Sequence, residues 1–125
     1  MQITTQTDDS QTDLIAALYS AVDARDAQKI GAMVSHDVVF QLGNFDALHG
    51  RQAVVDANEA FFGTIANMAH TITRILSDGG TVFCAGTVHY TRHDGSELEI
   101  PFATALQVTE GLITDYRVFV DVSPL

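Results

Sequence analysis

Residues 116–121 read YRVFVD near the end of the chain, and this strand-like run decides how the rest of the sequence can fold. Alternate residues of a strand point the same way, so Arg117, Phe119 and Asp121 share one face while the apolar residues between them share the other. An acid among valines near the end of a small domain is either a surface residue of an edge strand or a desolvated carboxylate. Asp121 is therefore the first candidate for a functional residue.

Length and charge restrict the class of protein. The 125 residues suffice for one domain with a single core, and we expect a loose N-terminal tail over residues 1–9 followed by one domain over residues 10–125. The 16 acidic and 6 basic residues give a formal charge of −10, which opposes binding to phosphate backbones and anionic membranes. Neither nucleic acid nor membrane is an expected partner.

The sequence also bears on where the protein is located and on whether it binds a metal. The sequence has no recognisable leader and no apolar run of membrane-spanning length, so we expect a cytoplasmic protein. The lone Cys84 excludes an intrachain disulfide. His36, His49 and His93 fall in capping or turn positions without metal-ligand spacing, so no metal site is predicted.

The first half of the chain has helical patterns. Apolar residues at helical spacing between residues 14 and 22 predict a first helix, and Asp26 can cap a short second one. A strand over residues 38–42 comes next, and a third helix begins after Gly50.

The second half is predicted to form a sheet. From His70 onward, β-branched strands are separated by tight-turn signals at residues 78–80, 94–95 and 110–111, which predicts a four-stranded antiparallel meander. Such long strands twist and curl, and three amphipathic helices need a surface to bury against. The sequence therefore predicts an α+β domain in which three N-terminal-half helices pack on a curved, mainly antiparallel sheet.

Turn lengths suggest the register of this sheet. Two-residue loops at residues 94–95 and 110–111 would align His89, Ile100 and Asp121 across three strands. The same assumption of two-residue loops places further residues on that face, namely His70, Ile72, Phe102, Arg117 and Phe119. The opposite face would carry an apolar set that includes Tyr90, Ala103, Ala105, Val118 and Val120. A three-residue loop or a bulge would break this alignment.

The order of elements and several short motifs resemble a known superfamily. The motifs are ARDA at residues 24–27, HDVVF at 36–40, HGRQAV at 49–54, and EGLIT at 110–114 leading into YRVFVD. Together they resemble the SnoaL-like branch of the nuclear-transport-factor-2-like superfamily, which is related to polyketide cyclases and limonene epoxide hydrolase. The resemblance implies a cone-shaped curved sheet around a long helix, an apolar pocket at the wide end, and dimers through the outer sheet face. A sheet that is apolar on both faces agrees with such a dimer.

The resemblance also suggests roles for individual residues. Asp121 matches the acid that ends the last strand and serves as general base, and Arg117 matches the arginine that precedes it. The Arg-x-Asp positions of the epoxide hydrolases hold Thr87 and His89 here, so that triad is incomplete.

The residues that ketosteroid isomerase needs for its chemistry are also absent from this chain. The position of its base holds Gln41, and the position of its oxyanion acid holds Ala103. The pattern that remains is closest to that of the cyclases.

Each candidate also has a structural interpretation. Asp121 can be a solvated acid, His89 a solvent-facing strand residue, and His70 a residue that bonds backbone at a strand start. For Arg117 an ion pair with a neighbouring carboxylate is favoured. Tyr19 is expected in the core, with its hydroxyl at the pocket rim.

The resulting hypothesis is a homodimeric SnoaL-like enzyme of lyase, isomerase, cyclase or hydrolase type that needs no cofactor and abstracts a proton from a hydrophobic small molecule. Asp121 would be the base, with a raised pKa, and His89 would polarise or reprotonate the substrate. The expected substrate-binding residues are Tyr19, Phe40, Phe61, Phe62, His70, Ile100, Phe102, Arg117 and Phe119. The alternative is a non-catalytic ligand-binding or dimeric assembly module of the same fold.

Overall fold

The computed structural model describes residues 1–4 and 11–125, and within them three helices pack on a seven-stranded sheet. The helices are α1 (Thr12–Asp23), α2 (Ala27–Met33) and α3 (Arg51–Phe62). The strands are β1 (Gln2–Ile3), β2 (Val34–Leu42), β3 (Leu48–His49), β4 (Asn67–Asp78), β5 (Thr81–Thr91), β6 (Glu97–Thr109) and β7 (Leu112–Phe119). This confirms the predicted α+β architecture. Of the predicted tail, residues 5–9 lie outside the described residues, and Gln2–Ile3 pairs with β4.

The sheet is mainly antiparallel and curved, with the strand order β1-β4-β5-β6-β7-β2-β3. Strands β4 to β7 form the predicted meander, and β2 joins it by pairing in parallel with β7. A bulge interrupts the pairing of β4 with β5 between Ile72 and Arg74, opposite Gly86. A Cβ atom at Gly86 would lie 1.9 Å from the carbonyl oxygen of Thr71, so only glycine fits there. Bulges of this kind bend a sheet.

The helices cover the inner face of the sheet because each has an apolar side. Helix α1 buries Ile15, Leu18 and Val22 against the sheet, and each such side chain stabilises the fold by about 1.5–3 kcal/mol. Helix α2 begins at the predicted cap, where the Asp26 carboxylate accepts a hydrogen bond of 3.1 Å from the Lys29 amide. In the part of the chain that the structure describes, no helix is long and apolar enough to cross a membrane.

The predicted register between β5 and β6 is wrong by one residue. His89 pairs with Glu99, and Ile100 pairs with Val88. The reason is the loop: Arg92 donates its amide to the Ser96 carbonyl at 2.8 Å, so residues 93–95 form a three-residue loop instead of a two-residue one. The Asp94 carboxylate accepts the Ser96 amide at 2.9 Å, which stabilises this longer turn.

The register between β6 and β7 is correct only next to its turn. Thr109 pairs with Leu112 around the predicted two-residue loop, but a bulge between Gln107 and Val108 shifts the rest of the ladder by one residue. Strand β7 ends at Phe119, and Asp121 lies beyond it. A one-residue slip reverses the faces of a strand. The predicted faces of β5 and β7 are therefore exchanged.

Candidate functional site

A cavity of about 540 Å³ lies between the inner face of the sheet and helices α1 and α3. Its exposed lining residues, among them Phe45 and Asp46 of the segment between β2 and β3 and Leu48 of β3, mark the opening. The wall is largely aromatic and aliphatic. It consists of Tyr19, Val22, Phe40, Leu42, Phe45, Asp46, Leu48, Ala57, Asn58, Ala60, Phe61, Phe62, Thr64, Met68, His70, Val88, Tyr90, Phe102, Tyr116, Val118 and Val120. Cavities of this size and polarity are typical of small-molecule sites.

One buried imidazole in this wall is held by a carboxylate. The Nδ1 atom of His70 lies 2.6 Å from Oδ1 of Asp23, and the His70 backbone amide donates to Oδ2 of the same carboxylate at 3.0 Å. His70 is 5% exposed and packs against the rings of Tyr19 and Phe102 at centroid distances of 4.6 and 4.9 Å. Because the orientation of the ring is fixed from both sides, Nε2 is the nitrogen left for a ligand.

Asp23 is ionised in this environment. Burial acts to raise the pKa of Asp23, but hydrogen bonds from the ring and the backbone of His70 outweigh that effect, so the pKa is lowered. The amino group of Met1 also lies 2.9 Å from Oδ2. The carboxylate therefore fixes the proton of a neutral imidazole on Nδ1 and stabilises the imidazolium when a second proton arrives.

Three tyrosines provide hydroxyl groups near His70. The Tyr19 hydroxyl is hydrogen-bonded to the hydroxyls of Thr104 and Tyr116. Burial raises the pKa of Tyr19 and of Tyr116 well above the usual range for a phenol. Burial and the charge of Asp23 raise the pKa of Tyr90 to about 12. All three phenols therefore stay protonated at neutral pH and can act as hydrogen-bond donors.

Tyr90 differs from the other two tyrosines because its hydroxyl makes no hydrogen bond to any residue described in the structure. It is 3% exposed, lies on β5 beside Met68 of β4, and lines the cavity. A buried hydroxyl without a protein partner is available to a ligand.

Most of the predicted substrate-binding residues line the cavity. The structure places Tyr19, Phe40, Phe61, Phe62, His70 and Phe102 in its wall. The inner face of β6 is as predicted. His70 lies on the same face because the bulge in β4 and the longer loop at residues 93–95 each shift the register by one residue, and the two shifts cancel between β4 and β6.

The two residues predicted to be catalytic do not face the cavity. Asp121 is exposed beyond the end of β7, where its carboxylate accepts the Ser123 amide at 3.0 Å. Hydrogen bonds from Ser123 lower the pKa of Asp121, whereas a raised pKa was predicted. His89 lies on the outer face, 3.3 Å from Glu97. The prediction that both residues face one internal pocket is therefore wrong.

Three further predicted lining residues lie elsewhere. Ile100 is buried on the inner face, but it is not part of the cavity wall. Phe119 is on the outer face and is 60% exposed. Arg117 is also on the outer face and forms the favoured ion pair with a neighbouring carboxylate, that of Asp115, at 2.9 Å. Because the bulge shifts β7 by one residue, the side chains of Arg117 and Phe119 lie on the outer face and not on the predicted inner one.

Sequence reasoning missed Asp23, although the sequence contains a signal for it. Asp23 is the last residue of α1 and follows Tyr19 by one helical turn, so both lie on the buried side of the helix. A carboxylate at the C-terminal end of a helix faces the negative end of the helix dipole, which is unfavourable. Violations of a local rule tend to mark functional sites.

Metal binding was not predicted, and no group of three or more His, Cys, Asp or Glu residues within the described ranges could hold a metal ion. The buried Cys84 packs beside Tyr19 and Thr104, and burial raises its pKa to about 11. Its thiol is therefore a packing group and not a nucleophile at neutral pH.

An α+β domain whose curved sheet and helices enclose an apolar cavity has the nuclear-transport-factor-2-like architecture, and solved structures share it. A hypothetical protein with a ketosteroid isomerase-like fold from Catenulispora acidiphila DSM 44928 aligns with a TM-score of 0.82 at 18% identity, covering 90% of this chain and 88% of that one. An LEH-like epoxide hydrolase of M. tuberculosis aligns with a TM-score of 0.75 at 21% identity, covering 88% and 81%. A putative SnoaL-like polyketide cyclase from Jannaschia sp. CCS1 aligns with a TM-score of 0.78 at 12% identity, covering 90% and 85%.

Residues 15–116 match the SnoaL-like domain family, and the chain belongs to that family. No curated protein matches the chain.

Proposed function

We propose that this chain is a small-molecule enzyme in which His70, oriented by Asp23, transfers protons within the apolar cavity. The observation that supports this most strongly is the buried His70–Asp23 pair in the cavity wall, with its 2.6 Å contact. Burying an ionised carboxylate is costly unless it is fully hydrogen-bonded. The Asp23 carboxylate has such partners, and the imidazole that it holds lies in the wall of the apolar cavity.

The chemistry follows from the tautomer. With its proton on Nδ1 and directed at Asp23, the neutral imidazole has its lone pair on Nε2 and can accept a proton from a C–H bond next to a substrate carbonyl. As the C–H bond breaks, its electron pair forms a carbon–carbon double bond, and the π pair of the carbonyl moves onto the oxygen to give the enolate. Asp23 stabilises the imidazolium that forms, and the same Nε2 can return the proton to another atom of the substrate.

The Tyr90 hydroxyl is suited to the oxygen of the substrate. Because its pKa is raised to about 12, it remains a donor at neutral pH, and it makes no competing hydrogen bond to the residues that the structure describes. A donor in a water-poor cavity stabilises developing negative charge far more than the same donor does in water. Proton removal with enolate stabilisation is the first step shared by isomerases, cyclases and many lyases.

The proposed substrate is a hydrophobic molecule of modest size. Eight aromatic rings line the cavity, and its volume of about 540 Å³ fits a compact ligand of one or two rings. The proposed chemistry requires no cofactor.

A solvent-exchange assay tests this proposal without knowledge of the natural substrate. A panel of hydrophobic ketones is incubated with the protein in D₂O, and deuterium incorporation is followed by mass spectrometry. We expect incorporation with the wild type and a loss of at least 100-fold in His70→Gln. Asp23→Asn should reduce the rate by about ten-fold or more.

Two variants outside the cavity provide matched controls. His89→Gln and Asp121→Asn remove the other histidine–aspartate set that the sequence suggested, and both should retain the wild-type exchange rate. Loss of exchange in either control with an unchanged rate in His70→Gln would contradict the proposal and restore the sequence-based assignment.

The second candidate function is a non-catalytic ligand-binding module. The fold admits chemically different ligands, since one similar structure was crystallised in complex with trimethylamine and another with polyporic acid. Ligand binding that is equally strong in the wild type and in His70→Gln, with no exchange in either protein, would favour this candidate.

We also propose that the protein forms a homodimer through an outer patch of the sheet. Phe83 and Phe119 are 52% and 60% exposed there, Ala103 and Ala105 of β6 lie between them, and Leu76 of β4 extends the patch beyond Phe83. An exposed apolar patch of this kind marks an interaction surface. Of the residues predicted for this interface, Ala103 and Ala105 lie in the patch, whereas Tyr90, Val118 and Val120 line the cavity. A cytoplasmic location remains a prediction.

A further inference from the structure

Besides the Tyr90 hydroxyl, which can donate, the cavity offers a ligand several hydrogen-bond acceptors. Asn58 uses its side-chain amide to donate to the Val54 carbonyl at 2.8 Å, which leaves its Oδ1 atom as an acceptor. His70 presents Nε2, since Nδ1 is held by Asp23. The Asp46 carboxylate makes neither an ion pair nor a hydrogen bond with any residue in the described ranges.

The charges that reach the cavity are negative. Asp46 lines the opening, and the described wall contains neither Lys nor Arg. Asp23 lies directly behind His70, but the Met1 amino group pairs with it at 2.9 Å, so the unpaired charge at the cavity is that of Asp46. The chain as a whole has a formal charge of −10. This field attracts cations and repels anions.

The wall is also able to hold a cation away from bulk water. It includes the rings of Phe40, Phe45, Phe61 and Phe62, together with those of Tyr90 and Tyr116. The face of an aromatic ring attracts an ammonium group, most strongly where the group is desolvated. A carboxylate at the opening and aromatic rings along the wall are complementary to one kind of molecule, an apolar cation.

We infer that the ligand of this cavity is a hydrophobic amine that binds as its ammonium form, with its N–H groups directed at Asp46 and Asn58 and its apolar body among the rings beside His70. This inference rests on the proposed function only in that it concerns the same cavity. It specifies the charge of the substrate, which the proposed proton transfer leaves open.

Three rigid probes of nearly equal size test the inference: 1-adamantylamine, 1-adamantanol and 1-adamantanecarboxylate. Their dissociation constants are measured at pH 7 by isothermal titration calorimetry. We expect the amine to bind at least ten-fold more tightly than the carboxylate, with the alcohol between them. In Asp46→Asn the amine should lose about three- to ten-fold in affinity, the carboxylate should gain, and the alcohol should be unchanged.

Asp78→Asn is the matched control, because it changes the net charge equally at an exposed residue far from the cavity, at the end of β4. It should leave all three dissociation constants unchanged. If the carboxylate binds as tightly as the amine, or if Asp46→Asn and Asp78→Asn have the same effect, the inference is wrong.

The probes also separate this inference from the proposed function. Binding of all three with equal affinity would overturn the charge preference and leave the proton-transfer role of His70 intact. Binding of none of them would overturn both, because a ligand cavity of this size should accept a compact hydrocarbon cage.

Discussion

Asp23 occupies a position that helix electrostatics disfavour, and its hydrogen bonds explain why it is stable there. As the last residue of α1 it faces the negative end of the helix dipole. The ring and backbone of His70 both donate to its carboxylate. Because the folded protein donates two hydrogen bonds to this carboxylate, it stabilises the ionised form of Asp23 over the protonated form.

Replacement of Asp23 by Asn should therefore destabilise the protein in a pH-dependent way. At pH 7 we expect a loss of about 1 to 2 kcal/mol in the free energy of unfolding, because a charge-assisted hydrogen bond becomes a neutral one. The folded pKa of Asp23 lies below its unfolded value near 3.8, so its contribution is complete above that value. The contribution disappears as the pH falls through the folded pKa.

Urea denaturation of the wild type and Asp23→Asn between pH 2 and pH 7 measures this effect. The difference between the two proteins should be constant at neutral pH and shrink below about pH 4. A difference that stays the same at low pH would mean that the charge of Asp23 does not contribute to stability.

The Tyr19–Thr104 hydrogen bond connects α1 to β6 inside the core, and both residues are buried. Tyr19→Phe should cost about 1 to 2 kcal/mol, because it removes this bond and weakens the hydroxyl network of the wall. Thr104→Val should cost a similar amount. The double variant should cost less than the sum of the single ones, since no partner is then left unpaired. Chemical denaturation of the four proteins gives the coupling free energy, and strict additivity would contradict the account.

At the scale of the elements, the bulge in β4 depends on Gly86 in the neighbouring strand. A methyl group at this position would lie 1.9 Å from the Thr71 carbonyl oxygen, so the two strands would have to separate. Gly86→Ala should cost at least about 3 kcal/mol, as overpacking against backbone does. Its matched control is Gly63→Ala, where the nearest atom outside the neighbouring residues is the Ala60 carbonyl oxygen at 3.5 Å.

Gly63→Ala should be neutral or slightly stabilising, because alanine restricts the unfolded chain. Thermal denaturation of both variants checks this pair. Equal melting temperatures would mean that the bulge tolerates a side chain.

The sequence allowed the elements to be predicted, whereas one longer loop and two bulges determined which side chains face the cavity. Apolar periodicity and the Gly-containing turns indicated the helices and the meander, because both depend on local chemistry. The face of each long strand depends on the exact number of loop residues, and the loop at residues 93–95 is one residue longer than expected. Residues 79–80 form a two-residue loop between β4 and β5, but the bulge between Ile72 and Arg74 shifts the pairing beyond it by one residue. His70 therefore pairs with Val88 and lies on the inner face, whereas His89 lies on the outer face. The position of Asp23 at the end of α1 was a usable signal in the sequence, whereas the inward orientation of Tyr90 depended on the register of β5.

At the scale of the whole molecule, the outer patch should control the oligomeric state. Phe83→Glu places a charge in the middle of the patch and should weaken the dimer by at least ten-fold. Gln28→Glu is the matched control, because it adds the same charge at an exposed position on α2. Analytical ultracentrifugation at micromolar concentration measures both. A wild type that is monomeric at that concentration would contradict the proposed dimer.

The proposed proton transfer depends on the tautomer of His70, which can be measured without a substrate. Long-range ¹H–¹⁵N correlation spectra, recorded at a pH where the imidazole is neutral, distinguish the protonated from the unprotonated ring nitrogen. We predict a proton on Nδ1, which faces Asp23, and an unprotonated Nε2 whose chemical shift changes when a cavity ligand is added. A proton on Nε2, or an Nε2 shift that ligand leaves unchanged, would contradict the assignment of His70 as the proton-transferring residue.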